Sequence, residues 1–263
     1  MTLMTATTLT EAARLSLACL DLTSLNDADT EADIARLCER AQAPIGPVAA
    51  VCVWPRLAAF ARAQLPAHIG VAAVANFPDG STDVERAVRD ASEIVQAGAQ
   101  EVDVVLPWRA LQAGDDAAAA AVLRAVRRAC EGLTLKVILE SGELGATGDT
   151  AMITRASRIA LAAGADFLKT STGKTSRHAS LSAAEAMLAA IASDAQACER
   201  VGLKPSGGLR TVADVQPYLA LVAQHLGAGA LNPKRFRIGA SSLYADIEAI
   251  LSGTGRAPTG NTY

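Results

Sequence analysis

The chain has 263 residues, 51% hydrophobic and 19% charged, which is ample material for a large core and little for disorder. Its 24 basic and 27 acidic side chains leave a formal net charge of −3, and aromatic residues make up only 3%. Those figures argue against a dedicated nucleic-acid or anionic-membrane surface and against base-stacking platforms.

Two helical segments open the chain, near Glu11–Leu20 and Asp29–Ala41, and are expected to precede the first strand. Apolar, β-branched runs then predict strands over Val48–Val53, Ile69–Ala75, Glu101–Val105, Leu135–Leu139, Asp166–Thr170 and Val201–Lys204. A weaker strand is read near Gly229–Leu231 and a last one over Arg237–Ala240. Between them, Val84, Ala87, Val88, Ala91, Ile94 and Val95 recur at helical spacing, and Thr82 with Glu85 reads as a capping box. Further helices are predicted over Ala117–Cys130, Ala151–Ala162, Ser182–Cys198, Thr211–Leu226 and Leu243–Leu251. Eight strands alternating with helices at this length favour one (β/α)8 barrel over an open doubly wound sheet. The barrel, with its extra N-terminal helices, is expected over residues 1–251, and a flexible tail rich in Gly, Thr, Ser and Pro over 252–263.

Apolar stretches such as Ile69–Ala75 fall far short of the ~20 residues of a membrane span, and the Thr-rich start lacks a secretory pattern. The five cysteines are scattered, with no C-x-x-C pair, and suggest neither a disulfide framework nor a zinc knuckle. His68, His178 and His225 form no pair at metal spacing and read as surface or core residues. No Gly-x-Gly-x-x-Gly follows the first strand, so a dinucleotide is not expected. A reduced cytoplasmic protein without metal or cofactor is the expectation, with a homodimer left open as its assembly.

Only five of the 24 basic residues are lysines: Lys136, Lys169, Lys174, Lys204 and Lys234. An amine can lose its proton and attack a carbonyl, whereas a guanidinium in practice cannot, so lysines kept in an arginine-rich chain are candidates for chemistry. The repeats Ala97-Gly98-Ala99 and Ala163-Gly164-Ala165 each set a helix-ending glycine before a strand. Six residues beyond the first alanine of each stand Asp103 and Lys169. Equal depth in alternate strands puts a carboxylate and an amine in one inward layer.

Lys169 and Lys204 each end an apolar run and lead into a Ser/Gly-rich loop, so both are expected in one barrel mouth. Like charges held close in an apolar pocket favour the neutral form of one amine. Gly173-Lys174, Gly207-Gly208 and Gly239-Ala240-Ser241-Ser242 follow three strands, and Ser241 or Ser242 is expected to cap the helix from Leu243. Small residues beside a helix N-terminus there suit a phosphate. An ion pair, a tight turn and a plain cap would explain these features singly; the convergence of the amines with Asp103 favours chemistry, and that of the three loops on one rim favours a phosphate site. Cys52 is a candidate for the barrel interior, and whether Lys136 points inward is open.

In chain order, Leu20-Asp21-Leu22-Thr23, Asn76-Phe77-Pro78-Asp79-Gly80, Glu101-Val102-Asp103-Val104-Val105, Lys169-Thr170-Ser171-Thr172-Gly173, Lys204-Pro205-Ser206-Gly207-Gly208 and Gly239-Ala240-Ser241-Ser242 resemble the 2-deoxy-D-ribose-5-phosphate aldolases. The resemblance runs from about Asp21 to Leu251 and implies a class I, metal-independent aldolase on a (β/α)8 barrel. Such an enzyme cleaves 2-deoxyribose 5-phosphate reversibly into acetaldehyde and glyceraldehyde 3-phosphate. The resemblance implies Lys169 as the Schiff-base lysine, Lys204 as the amine that lowers its pKa, and Asp103 as the proton-transfer partner. Asp21 is expected to orient a substrate hydroxyl. Lys174 and Arg210 would supply countercharge to a phosphate held by Gly173, Gly207, Gly208, Ser241 and Ser242. The family ends in a mobile tail with a terminal tyrosine, so Tyr263 is expected to move the proton at C2 of the substrate. Leu106, Trp108 and Ser206 depart from residues common in the family and bear on substrate preference. Two other readings stay open: a Schiff-base aldolase acting on a ketose phosphate, and a sugar-phosphate isomerase or non-catalytic sensor.

Overall fold

The structure, a computed structural model, describes residues 8–254. Eight parallel strands make one sheet: β1 (Leu20–Thr23), β2 (Ala50–Val53), β3 (Gly70–Ala75), β4 (Glu101–Val105), β5 (Thr134–Ile138), β6 (Phe167–Lys169), β7 (Gly202–Lys204) and β8 (Ile238–Ala240). Neighbours run in chain order from β1 to β7, and β8 pairs with β1. Bridges Leu203–Phe236 and Ser206–Gly239 join β7 to the β8 segment, so the sheet closes as a (β/α)8 barrel.

The helices around it are α1 (Leu9–Ala18), α2 (Glu31–Ala41), α3 (Pro55–Gln64), α4 (Val84–Gln96), α5 (Trp108–Gln112), α6 (Asp116–Ala129), α7 (Ser141–Leu144), α8 (Ala151–Ala162), α9 (Leu181–Ala192), α10 (Ala197–Arg200), α11 (Val212–Leu226) and α12 (Leu243–Leu251). Local chemistry sets their ends. Thr8 with Glu11, Thr30 with Asp33 and Thr211 with Asp214 form reciprocal capping boxes that satisfy the first free N–H groups of α1, α2 and α11. Gly98 and Gly164 adopt φ of +72° and +88°, the left-handed turn that releases the chain from α4 and α8 into the next strand. No helix among the described residues is long and apolar enough to cross a membrane.

Several sequence expectations need correction. Among the described residues only α1 precedes the first strand, because Leu20–Thr23 is β1 and α2 therefore lies between β1 and β2. This strand follows α1 after the single residue Cys19 and carries Asp21 inward, so no apolar run announces it. The segment near Gly229–Leu231 is not a strand; Ala228–Ala230 is a single 3-10 turn. The count of eight strands therefore stands with one member exchanged, and Lys169 and Lys204 belong to β6 and β7. The helix expected over Ser182–Cys198 is broken between α9 and α10. Asp83, not Thr82, caps α4, its carboxylate accepting from the Arg86 N–H at 2.9 Å.

Strand register stacks the inward side chains in layers drawn from alternate strands. Lowest lie Ala50, Glu101, Phe167 and Arg237; above them come Asp21, Ala72, Lys136 and Lys204; then Cys52, Asp103, Lys169 and Gly239. A barrel of this kind is ordinarily filled with Val, Ile and Leu. Here its middle is filled with charge, and the apolar core lies instead between the strands and the surrounding helices.

Candidate active site

Three amines meet one carboxylate inside the barrel. Lys169 Nζ lies 2.8 Å and Lys204 Nζ 2.7 Å from the same Asp103 oxygen, Oδ2, while Lys136 Nζ donates to Oδ1 at 2.8 Å. Lys204 also donates to Asp21 Oδ2, and Lys136 lies 3.4 Å from that oxygen. Beneath them Arg237 forks onto Glu101, Nη2 to Oε1 at 2.7 Å and Nη1 to Oε2 at 3.1 Å, and reaches Asp21 Oδ1 at 2.7 Å. Lys136 closes the circuit by pairing with Glu101 Oε2. Gly239 makes the approach possible, since a Cβ there would meet Lys204 Cε at 3.1 Å and Ser206 Cβ at 2.8 Å.

Burial by itself would push Asp21 and Asp103 up. The charges of Lys204, Lys136 and Arg237 around Asp21, and of all three lysines around Asp103, hold both carboxyls well below the usual carboxylate range. Burial by itself would push Lys136, Lys204 and Arg237 down, and the carboxylates more than offset it, so each is raised. These directions set the acid limit of the fold. Carboxylates whose folded values lie below an unfolded value near ~4 contribute fully above that pH and lose their contribution as pH falls toward the folded values. The raised lysines contribute fully below their unfolded value near ~10.4 and weaken only as pH climbs through the folded values. Thermal unfolding midpoints are therefore expected to be level from about pH 5 to 8 and to fall below about pH 4. A midpoint unchanged down to about pH 2.5 would contradict ionised carboxylates in the barrel.

Above the network opens a cleft of about 410 Å³. Lys169 is the one amine of the three in its wall; Lys204, Lys136, Asp103 and Asp21 lie closed beneath it. The loop after β6 brings Gly173 and Lys174, that after β7 brings Gly207, Gly208 and Arg210, and that after β8 brings Ser241 and Ser242. Gly173, Gly207 and Gly208 all have φ between +78° and +86°, which a side chain would strain. The serines do not cap: Ser242 precedes α12 without a side-chain cap bond, contrary to expectation, so its hydroxyl is not committed to the helix. Lys174 Nζ donates to the Leu25 carbonyl at 2.7 Å, tying the β6 and β1 loops together at the rim. Tyr263 lies outside the described residues.

Sequence reasoning missed several groups. His178, read as a surface or core residue, lines the cleft and packs over the Gly207-Gly208 turn. Glu140 is fully buried in the left-handed region at φ +54°, and its carboxylate accepts from the Thr172 N–H and hydroxyl, bracing the loop that carries Gly173 and Lys174. Burial pushes the Glu140 carboxyl up. Glu101 and Arg237 were read only as strand residues. The two-residue spacing of Glu101 and Asp103 was the available signal, since it sets both carboxylates on one strand face. Lys136 and Cys52 both prove to face the barrel interior, with Cys52 Sγ 3.9 Å from Asp103 Oδ2.

The family model described as DeoC/LacD family aldolase matches residues 15–248. A deoxyribose-phosphate aldolase of Agrobacterium fabrum is 44% identical over 256 residues, covering 96% of both chains. A putative deoxyribose-phosphate aldolase from Toxoplasma gondii superposes with a TM-score of 0.83 at 24% identity, covering 93% of this chain and 95% of that one. Another from Coccidioides immitis gives 0.76 at 30% identity, covering 91% and 86%.

Proposed function

The chain belongs to the DeoC/LacD family of aldolases, and from that membership we propose that it cleaves 2-deoxyribose 5-phosphate reversibly to acetaldehyde and glyceraldehyde 3-phosphate through a Schiff base on Lys169. The observation that carries the residue assignment is that Lys169, alone of the three amines on Asp103, stands in the wall of the cleft. Lys169 Nζ attacks the C1 aldehyde, and loss of water leaves an iminium. The C2–C3 bond then breaks, its electrons passing into the iminium to give an enamine, while the C3 hydroxyl proton passes through a water toward Asp103 and C3 becomes the aldehyde of glyceraldehyde 3-phosphate. Protonation at C2 and hydrolysis release acetaldehyde and restore the amine.

Asp103 is the proton-transfer partner, placed against Lys169 at 2.8 Å. Lys204 remains the charged neighbour of Lys169, and Asp21, closed off from the cleft, acts on the sugar through Lys204. The phosphate sits against the Gly173, Gly207 and Gly208 backbones and the start of α12 at Ser241 and Ser242, with Lys174 and Arg210 as countercharge. Assignment of the C2 proton to Tyr263 rests on the resemblance alone.

Incubation with acetaldehyde and borohydride is expected to inactivate the enzyme irreversibly and leave a two-carbon adduct on the Lys169 peptide. Activity should survive a chelator, because the iminium supplies the electron sink. An adduct on Lys204 instead would reverse the roles of the two lysines, and activity lost to the chelator would remove the class I mechanism.

A further inference from the structure

Among the described residues, the charged groups facing the barrel interior form a countable set. They are Asp21 on β1, Glu101 and Asp103 on β4, Lys136 on β5, Lys169 on β6, Lys204 on β7 and Arg237 just before β8. From β2 come only Ala50 and Cys52, whose thiol burial pushes up and keeps neutral, and from β3 only Ala72 and Val74. Four basic groups therefore share three carboxylates. With all seven ionised, a closed interior would hold an unbalanced positive charge, which a medium poor in water penalises heavily. With one amine uncharged, the set is neutral. Lys136 pairs with three carboxylates, Lys204 with two and Lys169 with one, so Lys169 gives up its proton at the loss of fewest ion pairs.

We propose that Arg237 and Glu101, at the end of the barrel away from the cleft, act as positioning residues that set the charge of Lys169 by fixing this count. Neither residue lines the cleft, and neither touches Lys169. Their influence passes through Asp21 to Lys204, and through Lys136 to Asp103. The guanidinium is suited to this post because it stays charged at any working pH. Its burial, with donors already engaged by Asp21 and Glu101, marks it as a member of the network and not a ligand-binding group. The proposal deepens the Schiff-base reading of Lys169 and rests on it.

The test is the pH profile of borohydride-trapped acetaldehyde adduct on Lys169. Arg237→Gln removes a cation, so the fully ionised set becomes neutral, Lys169 keeps its proton and the midpoint moves up by about one pH unit. Glu101→Gln removes an anion with little change of shape and moves the midpoint down by about as much. Arg237→Lys keeps the count and leaves the midpoint at the wild-type value, although a single ammonium cannot reproduce the fork onto Glu101. A role in packing alone would lower stability or rate in these variants without moving midpoints in opposite directions. If Arg237→Gln does not fold, Glu101→Gln decides the question by itself. Unmoved midpoints, or shifts of the same sign, overturn the proposal while leaving the Schiff base in place. Wild-type protein that forms no adduct on Lys169 takes down both.

Discussion

Lys169→Met is expected to lower kcat/KM by about 10⁴-fold or more, to abolish borohydride trapping and to leave the barrel folded. The size follows from removing a covalent path whole: the other amine in the cleft wall, Lys174, is held at the rim on the Leu25 carbonyl, so the remaining rate is that of binding and surrounding electrostatics. The intact fold follows from the geometry around Asp103. Its Oδ1 keeps Lys136 at 2.8 Å and its Oδ2 keeps Lys204 at 2.7 Å, so no buried carboxylate is orphaned. The cost of removing one member of a buried pair, about 3–5 kcal/mol where the other is left alone, therefore does not apply in full. Methionine matches the length of the lysine stem and refills its space. Thermal melts within a few degrees of wild type, beside absent turnover, are the expected pair of results. Residual activity above about a hundredth of wild type would place the nucleophile elsewhere.

The parts of this structure that the sequence announced are those where local chemistry and distant packing agree. Apolar runs such as Ile69–Ala75 became buried strands because both faces of a parallel sheet are covered. The glycines of the two Ala-Gly-Ala repeats took the left-handed turns expected of them and delivered Asp103 and Lys169 to one layer. β1 was hidden for the opposite reason. Its four residues include an inward aspartate that no apolar pattern accommodates, and only the amines of β5 and β7 and the guanidinium before β8 make that burial tolerable. Gly229–Leu231 offered a short apolar run and no partner strand, and it closed on itself as a turn.

The site shows the same division. Lys169 and Lys204 stood out because lysine is scarce in this chain and both end strands. Lys136 belongs to the same small set, but a strand read without its register does not say which face looks inward. Glu101 and Arg237 are 136 positions apart and meet only when β4 and β8 are opposite one another in a closed barrel. A contact of that separation leaves no periodicity to find. His178 lies in an irregular loop, where neither helical nor strand spacing predicts direction, yet it packs over the Gly207-Gly208 turn.

Lys204→Leu is expected to lower turnover near neutral pH by about 10²- to 10⁴-fold, with part of the adduct formation recovered as the pH is raised. The variant removes one of four basic groups facing three carboxylates. The balance then favours three ionised partners for three carboxylates, so the amine at the cleft is held in its charged, non-nucleophilic form. Raising the pH works directly against that, which is why recovery with pH separates this effect from misfolding. Folding should persist, because Asp21 retains Arg237 at 2.7 Å and Asp103 retains Lys136 and Lys169, both at 2.8 Å. Leucine supplies apolar volume to the space the lysine stem leaves beside Gly239. Trapping with acetaldehyde at a series of pH values, for wild type and Lys204→Leu side by side, measures the effect without depending on the cleavage step. Coincident profiles would mean that the two amines on Asp103 Oδ2 are neighbours without electrostatic coupling, and Lys204 would then owe its importance to holding Asp21 and Asp103 in place.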